Sequence, residues 1–518
     1  MQSKQNQGPI AKHTRKMNKL LILFGLLLHG NLSAQKHDNV WPGGLNEYPG
    51  APANGNYLIR FDNGSPVVDA VDLKMNFEST VAAISDSTGK LLYYTNGCSI
   101  LNGNGDTINN GTGLNPGKIY DRVCPGKGYI SPRGAMFLPV PGYETEGYFL
   151  FHMAVDDSLD LGLSYGPLYF SLIIAGGGLS HTGNVLVKNE EILPVIYAPV
   201  YATRIYEPFS VVRHGNGRDW WLVVPEYAKN IYHTFLIRKG FYVDEMPIQT
   251  IGTPMKCKRI GSSTFSPDGS KYARQQNCGI TVMDFNRCTG KFSNPKLLSR
   301  PGYSFHSGGV AFSPDNSKLV TNSYLTILEA DLNQATPTFD TLVYSNEIAG
   351  ASLHYMQFGP DGNLYFSALH RMKSMPEIKD PFSDNPTYVQ NELPVYSVRT
   401  LPNFPNYRLY DFPNSPCDTL GINTPVSATE PKTADDEGLK LFPNPANDYL
   451  EVLLPQTWSG STRLEIYTAG GGHCLTRKFD PGEGSFTIAT NSLPNGLYFC
   501  RVTSGEMPPL SATFLVVR

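Results

Sequence analysis

Three histidines, one arginine and one glutamate are the residues of this sequence whose types and spacing could do chemistry. His214, His306 and His354 each stand just before or within the first half of a predicted β-hairpin, and Arg133 and Glu207 stand at corresponding places in two others. Imidazole and carboxylate groups that meet at one point can bind a metal or act as acid and base. If the hairpins form a closed ring, these residues are candidates for a site at one mouth of its central channel.

Other motifs of catalysis and metal binding are absent from the sequence. There is no Gly-x-Ser-x-Gly elbow, no Gly-rich phosphate loop and no His-Glu-x-x-His. Residues 102–106 (Asn-Gly-Asn-Gly-Asp) have the alternating oxygens of a calcium loop but a single carboxylate, which favours a plain turn. No cysteine pair has zinc-site spacing. The sequence therefore predicts no cofactor and no metal site.

The composition favours an all-β chain. The 518 residues include 50 Gly and 40 Pro, 11% are aromatic, and only 17% are charged. Many turn formers and aromatic residues with few charges are typical of β-rich proteins. A net charge of −3 without concentrated Lys and Arg argues against nucleic acid as a partner. The length suits two or three domains.

Three similar phrases recur in the second half of the chain. They occupy residues 265–271, 312–318 and 358–363, and their aspartates follow one another at intervals of 47 and 46 residues. Each phrase predicts a hairpin, with Pro-Asp-Gly or Pro-Asp-Asn at the turn between two apolar strands. Looser counterparts upstream lie at residues 86–94, 141–151 and 214–224.

A period in the forties with several short strands per unit is typical of β-propeller blades. The phrases resemble the WD-like propeller repeats of secreted bacterial proteins. The six hairpins predict six blades, and a seventh forms if Tyr57–Phe61 pairs with Val395–Thr400 and closes the ring without an exposed edge. We favour seven blades, with six or eight as the alternatives. In WD-type repeats a histidine near these positions commonly holds strands of its own blade together. A structural role for the three histidines is therefore the alternative to a site.

The adjacent residues Trp220 and Trp221 lie on one predicted strand. Successive side chains of a strand point to opposite faces. We expect one of the two to lie in the core and the other at the surface.

The N-terminal segment has the pattern of a secretory signal peptide. Met17-Asn18-Lys19 precedes the apolar run Leu20–Leu28, and Leu32-Ser33-Ala34 offers a cleavage site. The run is too short to span a bilayer. We predict a signal peptide at 1–34 with Met17 as the true start, a propeller at 35–416, a linker at 417–437 and a further domain at 438–518.

Eight cysteines in an exported chain make disulfides possible. Cys278 and Cys288 flank one predicted strand and turn, which makes a hairpin bridge a candidate. Cys98 and Cys124 bracket a loop rich in Gly and Asn, and closing it would reduce chain entropy. The sequence leaves the connectivity open.

The C-terminal region carries three motifs around segments with period-two alternation, which predict a small antiparallel sandwich. The motifs are Phe442-Pro443-Asn444-Pro445, then Leu493-Pro494-Asn495-Gly496-Leu497-Tyr498, and the basic last residue Arg518. Together they resemble the type A C-terminal sorting domain of Bacteroidetes type IX secretion substrates. Arg518 stands where Lys is commoner in that family, a change that keeps the charge.

The resemblance implies a route and a set of partners. A sorting domain implies passage through the periplasm, recognition by the type IX translocon, removal of the tail by a C-terminal signal peptidase and attachment to surface lipopolysaccharide. The expected location is the medium or the outer-membrane surface. The acidic, Pro- and Thr-containing segment before the domain suits a cut.

The leading functional hypothesis is an all-β, surface-displayed propeller that binds a glycan or a protein through loops at one face of the ring. The alternative is a secreted hydrolase or lyase that acts on polysaccharide or peptide with the histidines and carboxylates of the channel. A third hypothesis is a structural part of a surface assembly. An enzyme requires an acid, a base and an orienting group around one point.

Overall fold

In the computed structural model almost every regular element is a strand. The structure describes residues 35–45, 55–63, 65–156, 164–175, 183–195, 206–239, 241–255, 261–300, 305, 308–323, 326–343, 353–368, 374–395, 400–418, 420, 439–444, 446–454, 462–468, 473–479, 485–504 and 507–516. The predicted signal peptide, the histidine at 306 and most of the predicted linker lie outside these residues. The domain boundaries therefore stay predictions.

Six sheets follow one another between residues 40 and 393. Sheet 1 consists of β1 (Val40–Gly44), β2 (Asn56–Asn63) and β3 (Ser65–Ala70). Sheet 2 has a first half of β4 (Ala82–Ser85), β5 (Leu91–Thr95), β6 (Ser99–Asn102) and β7 (Thr107–Thr112). Its second half is β8 (Ala135–Val140), β9 (Tyr143–Asp156), β10 (Ser164–Ile174) and β11 (Asn184–Leu193), and helix α1 (Lys118–Val123) lies between the halves.

The remaining four sheets are each built from consecutive strands. Sheet 3 consists of β12 (Ser210–Arg213), β13 (Trp220–Pro225), β14 (Ile231–Arg238), β15 (Tyr242–Glu245) and β16 (Gln249–Thr250). Sheet 4 consists of β17 (Ser262–Phe265), β18 (Lys271–Gln276), β19 (Gly279–Asn286) and β20 (Lys291–Leu298). Sheet 5 consists of β21 (Val310–Phe312), β22 (Lys318–Ser323), β23 (Thr326–Asp331) and β24 (Phe339–Val343). Sheet 6 consists of β25 (Leu353–Phe358), β26 (Leu364–Ala368), β27 (Met375–Lys379) and β28 (Thr387–Leu393).

The sheets are the blades of a β-propeller, which confirms the predicted fold class. The halves of sheet 2 are two four-stranded meanders that meet at one parallel pair, Asn109 and Asn184. The first strand of each meander packs beside the first strand of a neighbour around a central channel. Trp41 of sheet 1 packs against Tyr365 of sheet 6, with ring centroids 5.4 Å apart, so the first and last sheets meet. Sheet 1 has three strands in the described residues, and the number of blades stays a prediction.

The predicted pairing of Tyr57–Phe61 with Val395–Thr400 is wrong. These residues lie on β2, whose two edges are occupied by β1 and β3. A strand has only two edges for ladder hydrogen bonds, so no place remains for a third partner. After β28 the chain instead enters the channel.

The repeated phrases fold as predicted because their own side chains build the turns. In the second phrase Asp315 Oδ1 accepts hydrogen bonds from Ser313 Oγ (2.6 Å), Ser317 Oγ (2.8 Å) and Ser317 N (3.1 Å). These bonds lower the pKa of Asp315 to about 2. Asp268 makes the corresponding bonds in the first phrase, where Gly269 has a φ of +73°. A hairpin at each phrase follows from local sequence alone.

Residues 401–417, here called the plug segment, fill part of the channel. Tyr407 is 1% exposed and donates its hydroxyl to the Phe137 carbonyl at 2.7 Å. Asn406 Nδ2 donates to the Pro267 carbonyl at 2.8 Å, and the Phe412 amide donates to the Gly215 carbonyl at 2.7 Å. The plug segment thus joins innermost strands and turns from several blades.

One predicted disulfide is present and the other is wrong. Cys98 and Cys124 are bonded, with Cα atoms 5.6 Å apart. Cys288 is bonded to Cys417 of the plug segment and not to Cys278, which is itself in a disulfide. The turn after β19 brings Cys288 against the plug segment, and the sequence placed Cys417 in a linker.

Both tryptophans of β13 are buried, which corrects the expectation that one would be exposed. Each is 1% exposed. Trp220 packs against Tyr407 of the plug segment, while Trp221 packs against His214 and Phe285 of the next blade. A blade inside the ring is covered on both faces, so alternation along the strand does not imply alternation in burial.

The C-terminal residues form two further sheets packed as a small sandwich. Its strands are β29 (Lys440–Phe442), β30 (Tyr449–Leu453), β31 (Thr462–Thr468), β32 (His473–Phe479), β33 (Ser485–Ala489), β34 (Gly496–Ser504) and β35 (Met507–Val516). One sheet has the order β29-β30-β33 and the other β32-β31-β34-β35. Alternate residues such as Leu450, Val452, Leu464 and Ile466 are fully buried between the sheets. In the described part of the chain, no helix has the length and apolar character needed to cross a bilayer.

Candidate functional site

A cavity of 320 Å³ occupies the channel between the plug segment and the innermost strands β12, β17, β21 and β25. This volume lies at the lower end of the range for small-ligand pockets. Each innermost strand contributes backbone and side chains to the wall because the strands run side by side around the axis. The plug segment supplies the opposite wall through residues 403–406 and Arg408.

The cavity has two chemically different ends. At the end formed by the repeated turns, Pro267, Pro314 and Pro360 line the rim, and neighbouring turns are linked by Asn316 Nδ2 and Ser270 Oγ at 3.3 Å. At the end where the innermost strands begin, the wall is polar. There the buried hydroxyls of Ser210 and Ser263 lie 2.6 Å apart in a hydrogen bond.

Arg133 lines this cavity from the residues just before β8. It is 7% exposed, and its backbone has a φ of +54°, held in a tight turn by the Gly134 amide bonded to the Ser131 carbonyl. Its Nη1 donates to the Met356 carbonyl at 3.2 Å and its Nη2 to Asn403 Oδ1 at 2.7 Å. Asn403 Nδ2 returns a bond to the Arg133 carbonyl at 3.1 Å.

Burial lowers the pKa of Arg133 to about 10, so this guanidinium is still positively charged at neutral pH. The phenol of Tyr355, another described residue, acts on this pKa in the opposite direction. Among the described residues no carboxylate is paired with Arg133.

The other charged residues of the described cavity lining are Asp38 and Arg408, and they form a bidentate pair. Arg408 Nη1 and Nη2 lie 2.6 and 2.7 Å from the two oxygens of Asp38. The pair fixes the plug segment to the N-terminal end of the ring, and each oxygen of this carboxylate accepts a hydrogen bond from Arg408. Two arginines and one aspartate give the described lining a net positive charge.

His214 does not lie with the other described candidates. It follows β12, at the turn end of the channel, whereas Arg133, Glu207 and His354 lie where innermost strands begin. Its Nδ1 accepts the Asn216 amide at 3.0 Å and its Nε2 lies 3.2 Å from the Cys288 carbonyl. Burial lowers its pKa. These contacts give His214 a structural role between two blades.

Glu207 is also occupied by the scaffold. It is 2% exposed, its Oε2 lies 2.8 Å from Nε of the buried Arg274, and its Oε1 accepts a bond from Gln276. Arg274 belongs to the next blade, on β18. Glu207 is therefore part of an ion pair between blades and does not line the cavity.

His354 lies on β25 and is 8% exposed. Its ring packs on Tyr355 with centroids 4.1 Å apart, and its carbonyl accepts a hydrogen bond from Asn322 Nδ2 at 3.0 Å. It is not among the described residues that line the cavity. His306 lies outside the described residues. Of the five candidates, the structure places Arg133 in the cavity lining.

The plug segment contributes the residues that sequence reasoning missed. Asn403, Asn406 and Arg408 all line the cavity, and each bonds to a residue far away in sequence. The run Leu401–Tyr410 follows the last blade and holds Pro, Asn and aromatic residues, which is also the composition of an ordinary loop. Only its aromatic content distinguishes it from a linker.

The sorting motifs have defined structural roles in the sandwich. Asn444 Oδ1 accepts the Leu515 amide at 2.8 Å, which joins the opening motif to the last strand. The buried Tyr498 donates its hydroxyl to the Pro494 carbonyl at 2.8 Å, which closes the turn that begins at the buried Leu493. Phe442 is 44% exposed. Pro445 and Arg518 lie outside the described residues.

A comparison with protein families decides the identity of this sandwich. Residues 440–515 match the secretion system C-terminal sorting domain. The chain is a type IX secretion substrate. The predicted export of this substrate to the cell surface or the medium is thereby confirmed, as is the fusion of the sorting domain to a propeller.

No curated protein matches the sequence of this type IX substrate. Its fold is similar to a proposed 6-phosphogluconolactonase from Bacteroides uniformis (13% identity, 69% of this chain and 97% of the other, TM-score 0.44). It is also similar to the periplasmic gluconolactonase PpgL of Pseudomonas aeruginosa (14% identity, 69% and 97%, TM-score 0.40). A third similar structure is PorZ, a surface component of the type IX secretion system of Porphyromonas gingivalis (9% identity, 90% and 69%, TM-score 0.28). The assignment of the propeller rests on the sheets of this chain itself.

Proposed function

We propose that this type IX substrate is a surface-displayed binding protein whose ligand, a glycan or a protein segment, enters the central cavity of the propeller. The observation that supports the proposal is the lining of that cavity. It combines apolar ring faces, neutral hydrogen-bonding side chains and one arginine without a carboxylate partner. Such a lining can hold and orient a ligand.

The same lining favours binding over acid–base chemistry. A hydrolase or lyase needs an acid and a base at one point. The described lining contains no histidine and no glutamate, and its single aspartate, Asp38, is engaged on both oxygens by Arg408. Glu207 and His214, which could have supplied such groups, are bonded within and between blades.

The cavity wall is well suited to pre-organised recognition. Thr264 and Gln357 are half-buried on innermost strands. Thr264 Oγ1 donates to the Phe265 carbonyl at 3.3 Å and Gln357 Nε2 donates to the Phe358 carbonyl at 3.4 Å. Both bonds are long, so these polar side chains are available for a ligand. The plug segment that forms the opposite wall is fixed by the Cys288–Cys417 disulfide and the Arg408–Asp38 pair. A site that is rigid before binding loses less conformational entropy when the ligand arrives.

A steric block of the cavity tests the proposal. Purified full-length protein is screened against immobilised glycans and peptides, and the same screen is run with Thr264→Trp, which fills the cavity. Thr341→Trp is the matched control, because Thr341 is also half-buried but lies on β24, away from the cavity. We expect at least a ten-fold loss of affinity for Thr264→Trp alone. Equal binding by both variants, or release of cleaved product from a bound glycan or peptide, would contradict the proposal.

We also propose that the sorting domain is removed by the C-terminal signal peptidase after passage through the translocon, and that the propeller is then attached to lipopolysaccharide. The match of residues 440–515 supports this route. Mass spectrometry of the cell-surface form is expected to find a C-terminus within residues 418–438. An intact Arg518 on the surface form would contradict the processing step.

A further inference from the structure

Among the described residues of the propeller four arginines are buried, and three of them contact other parts of the scaffold and do not line the cavity. Arg274 is paired with Glu207. Arg213 lies over the ring of Trp220 at 4.0 Å and donates to the Gly217 carbonyl. Arg287 donates to the carbonyls of Arg213 and Asp268, among others. The fourth, Arg133, is the one that lines the cavity.

Arg133 has more N–H donors than it has acceptors among the described residues. A guanidinium carries five N–H groups in a planar fork. In the described structure Arg133 directs one to the Met356 carbonyl and one to Asn403 Oδ1. The remaining N–H groups have no protein acceptor among the described residues, at a position that is 7% exposed. Donors held in a buried site without acceptors favour a ligand that supplies them.

The backbone at Arg133 supports a functional reading of the side chain. A non-glycine residue with φ of +54° is strained, and such strain is concentrated at functional sites. The turn at Ser131–Gly134 and the bond from Asn403 Nδ2 to the Arg133 carbonyl hold this conformation. Together they fix the guanidinium between β25 and the plug segment, beside the cavity.

The charge of the described lining determines the sign of the ligand. Asp38 and Arg408 neutralise each other, and Arg133 is left with a full positive charge. The aspartates of the rim turns, Asp268 and Asp315, accept hydrogen bonds inside their own turns. The cavity therefore favours a ligand with an anionic group in the interior, next to Arg133. The part of the ligand that lies against the proline rim is expected to be uncharged.

The rest of the lining determines what carries the anion. Uncharged hydroxyl and amide side chains line the same cavity as the arginine, namely Ser210, Ser263, Thr264, Gln357, Asn403 and Asn406. The ring faces of the rim prolines can pack against the C–H face of a sugar. A ligand with many hydroxyls uses this surface, whereas the carboxylate of a peptide side chain would leave most of it unpaired. The cavity is small, which suits the terminal unit of a chain.

We propose that the cavity binds the terminal unit of an acidic saccharide, with the sugar carboxylate held in the fork of Arg133. This inference rests on the proposed binding function and specifies its ligand class. A planar carboxylate can take two parallel N–H bonds from a guanidinium, which a lysine in the same place could not offer. Arg133 is thus the residue that selects acidic over neutral sugars.

The test uses full-length protein and calorimetric titration with galacturonate, glucuronate and sialylated oligosaccharides, each beside its neutral counterpart. We expect at least one acidic probe to bind ten-fold or more tightly than its counterpart, and Arg133→Met to remove that preference. Arg238→Met is the matched control, since Arg238 is an exposed arginine of β14 that is paired with Asp244 and does not line the cavity. Arg133→Lys keeps the charge, and we expect it to lose most of the preference because the fork is gone.

The outcomes separate this inference from the function on which it rests. Equal affinity for acidic and neutral probes, or a preference that survives in Arg133→Met, overturns the acidic-sugar assignment and leaves the binding function standing. Binding of an acidic peptide such as tetraglutamate, with none of the saccharides, overturns the assignment to a saccharide. Failure of every glycan and peptide in the screen overturns both. If Arg133→Met does not fold, Arg133→Lys and the direct comparison of acidic with neutral probes decide.

Discussion

The junction that contains Arg274 and the cavity that contains Arg133 handle a buried arginine in opposite ways. The residues are 1% and 7% exposed. Burial works against the charge of Arg274, but Glu207 outweighs it and raises the pKa of that guanidinium. Burial lowers the pKa of Arg133 to about 10, and in the part of the chain that the structure describes no carboxylate offsets it. One charge is compensated inside the fold, and the other is left for a ligand.

The hydrogen bonds follow the same division. Arg274 directs its groups to Glu207 Oε2 at 2.8 Å, to the Lys229 carbonyl at 2.5 Å and to the Glu226 carbonyl at 2.7 Å. Arg133 has two protein acceptors among the described residues, Met356 and Asn403, and both line the cavity. A buried charge with a full set of hydrogen-bond partners has a structural role. A buried charge with an incomplete set beside a cavity is available to bind a ligand.

The largest effect is expected at the paired arginine. Glu207→Ala leaves Arg274 charged and buried without its carboxylate, and we expect the free energy of unfolding to fall by about 3–5 kcal/mol. Urea unfolding monitored by tryptophan fluorescence measures this change. Glu245→Ala, on a half-exposed glutamate of β15, is the control and should cost less than about 1 kcal/mol. A loss at Glu207 as small as that of the control would remove the contrast between the two arginines.

A buried histidine sharpens the comparison, because it avoids charge altogether. Burial lowers the pKa of His152 to about 3, and its ring is bonded to Asn115 Oδ1 (2.8 Å) and Ser171 Oγ (3.1 Å). The unfolded chain takes up this proton near pH 6.5, so stability is complete above that pH and falls as the pH drops toward 3. We expect a loss of about 1.4 kcal/mol per pH unit in this window. The same slope in His152→Gln would show that another group is responsible.

The next prediction concerns the Cys288–Cys417 disulfide, which joins the plug segment to the turn after β19. Removing Cys288–Cys417 with a double serine substitution should lower the free energy of unfolding by about 2–4 kcal/mol. The control is the same substitution at Cys98–Cys124. Because the first bond closes 129 residues and the second 26, chain entropy predicts a loss about 1.4 kcal/mol larger for the first. Thermal unfolding of the two double variants measures the difference, and the reverse order would contradict the chain-entropy account of the two bonds.

The smallest effect on stability is expected at the unpaired arginine. Arg133→Met removes two hydrogen bonds, which lowers stability, and also removes a buried charge, which relieves a desolvation cost. Because the two effects oppose each other, we expect the free energy of unfolding to change by about 1 kcal/mol or less. Urea unfolding alongside Glu207→Ala makes the comparison direct. A loss as large as that of Glu207→Ala would assign Arg133 to the scaffold.

Much of the fold could be predicted because its determinants are local. The hairpins of the repeated phrases depend on Ser, Pro, Asp and Gly residues a few positions apart, and Asp315 binds its own turn. The sorting domain was found for a similar reason, since its motifs stand in order along a short stretch and the family match covers residues 440–515. It was harder to predict at which end of the channel a residue lies. His214 directly follows β12, so it lies at the opposite end of the channel from the residues that precede that strand.

The sequence by itself determined the export of this protein, its β-rich fold class and the hairpins from which the blades are made. Only the tertiary structure decided how the ring closes, which cysteine Cys288 meets and which candidate residue reaches the cavity. Arg133 meets Asn403 across 270 positions of sequence, and Arg213 meets Tyr407 across 194. Turn chemistry acts between neighbours and is encoded where it acts. Contacts at such separations exist only when the whole ring has closed around the plug segment, and no local pattern specifies them.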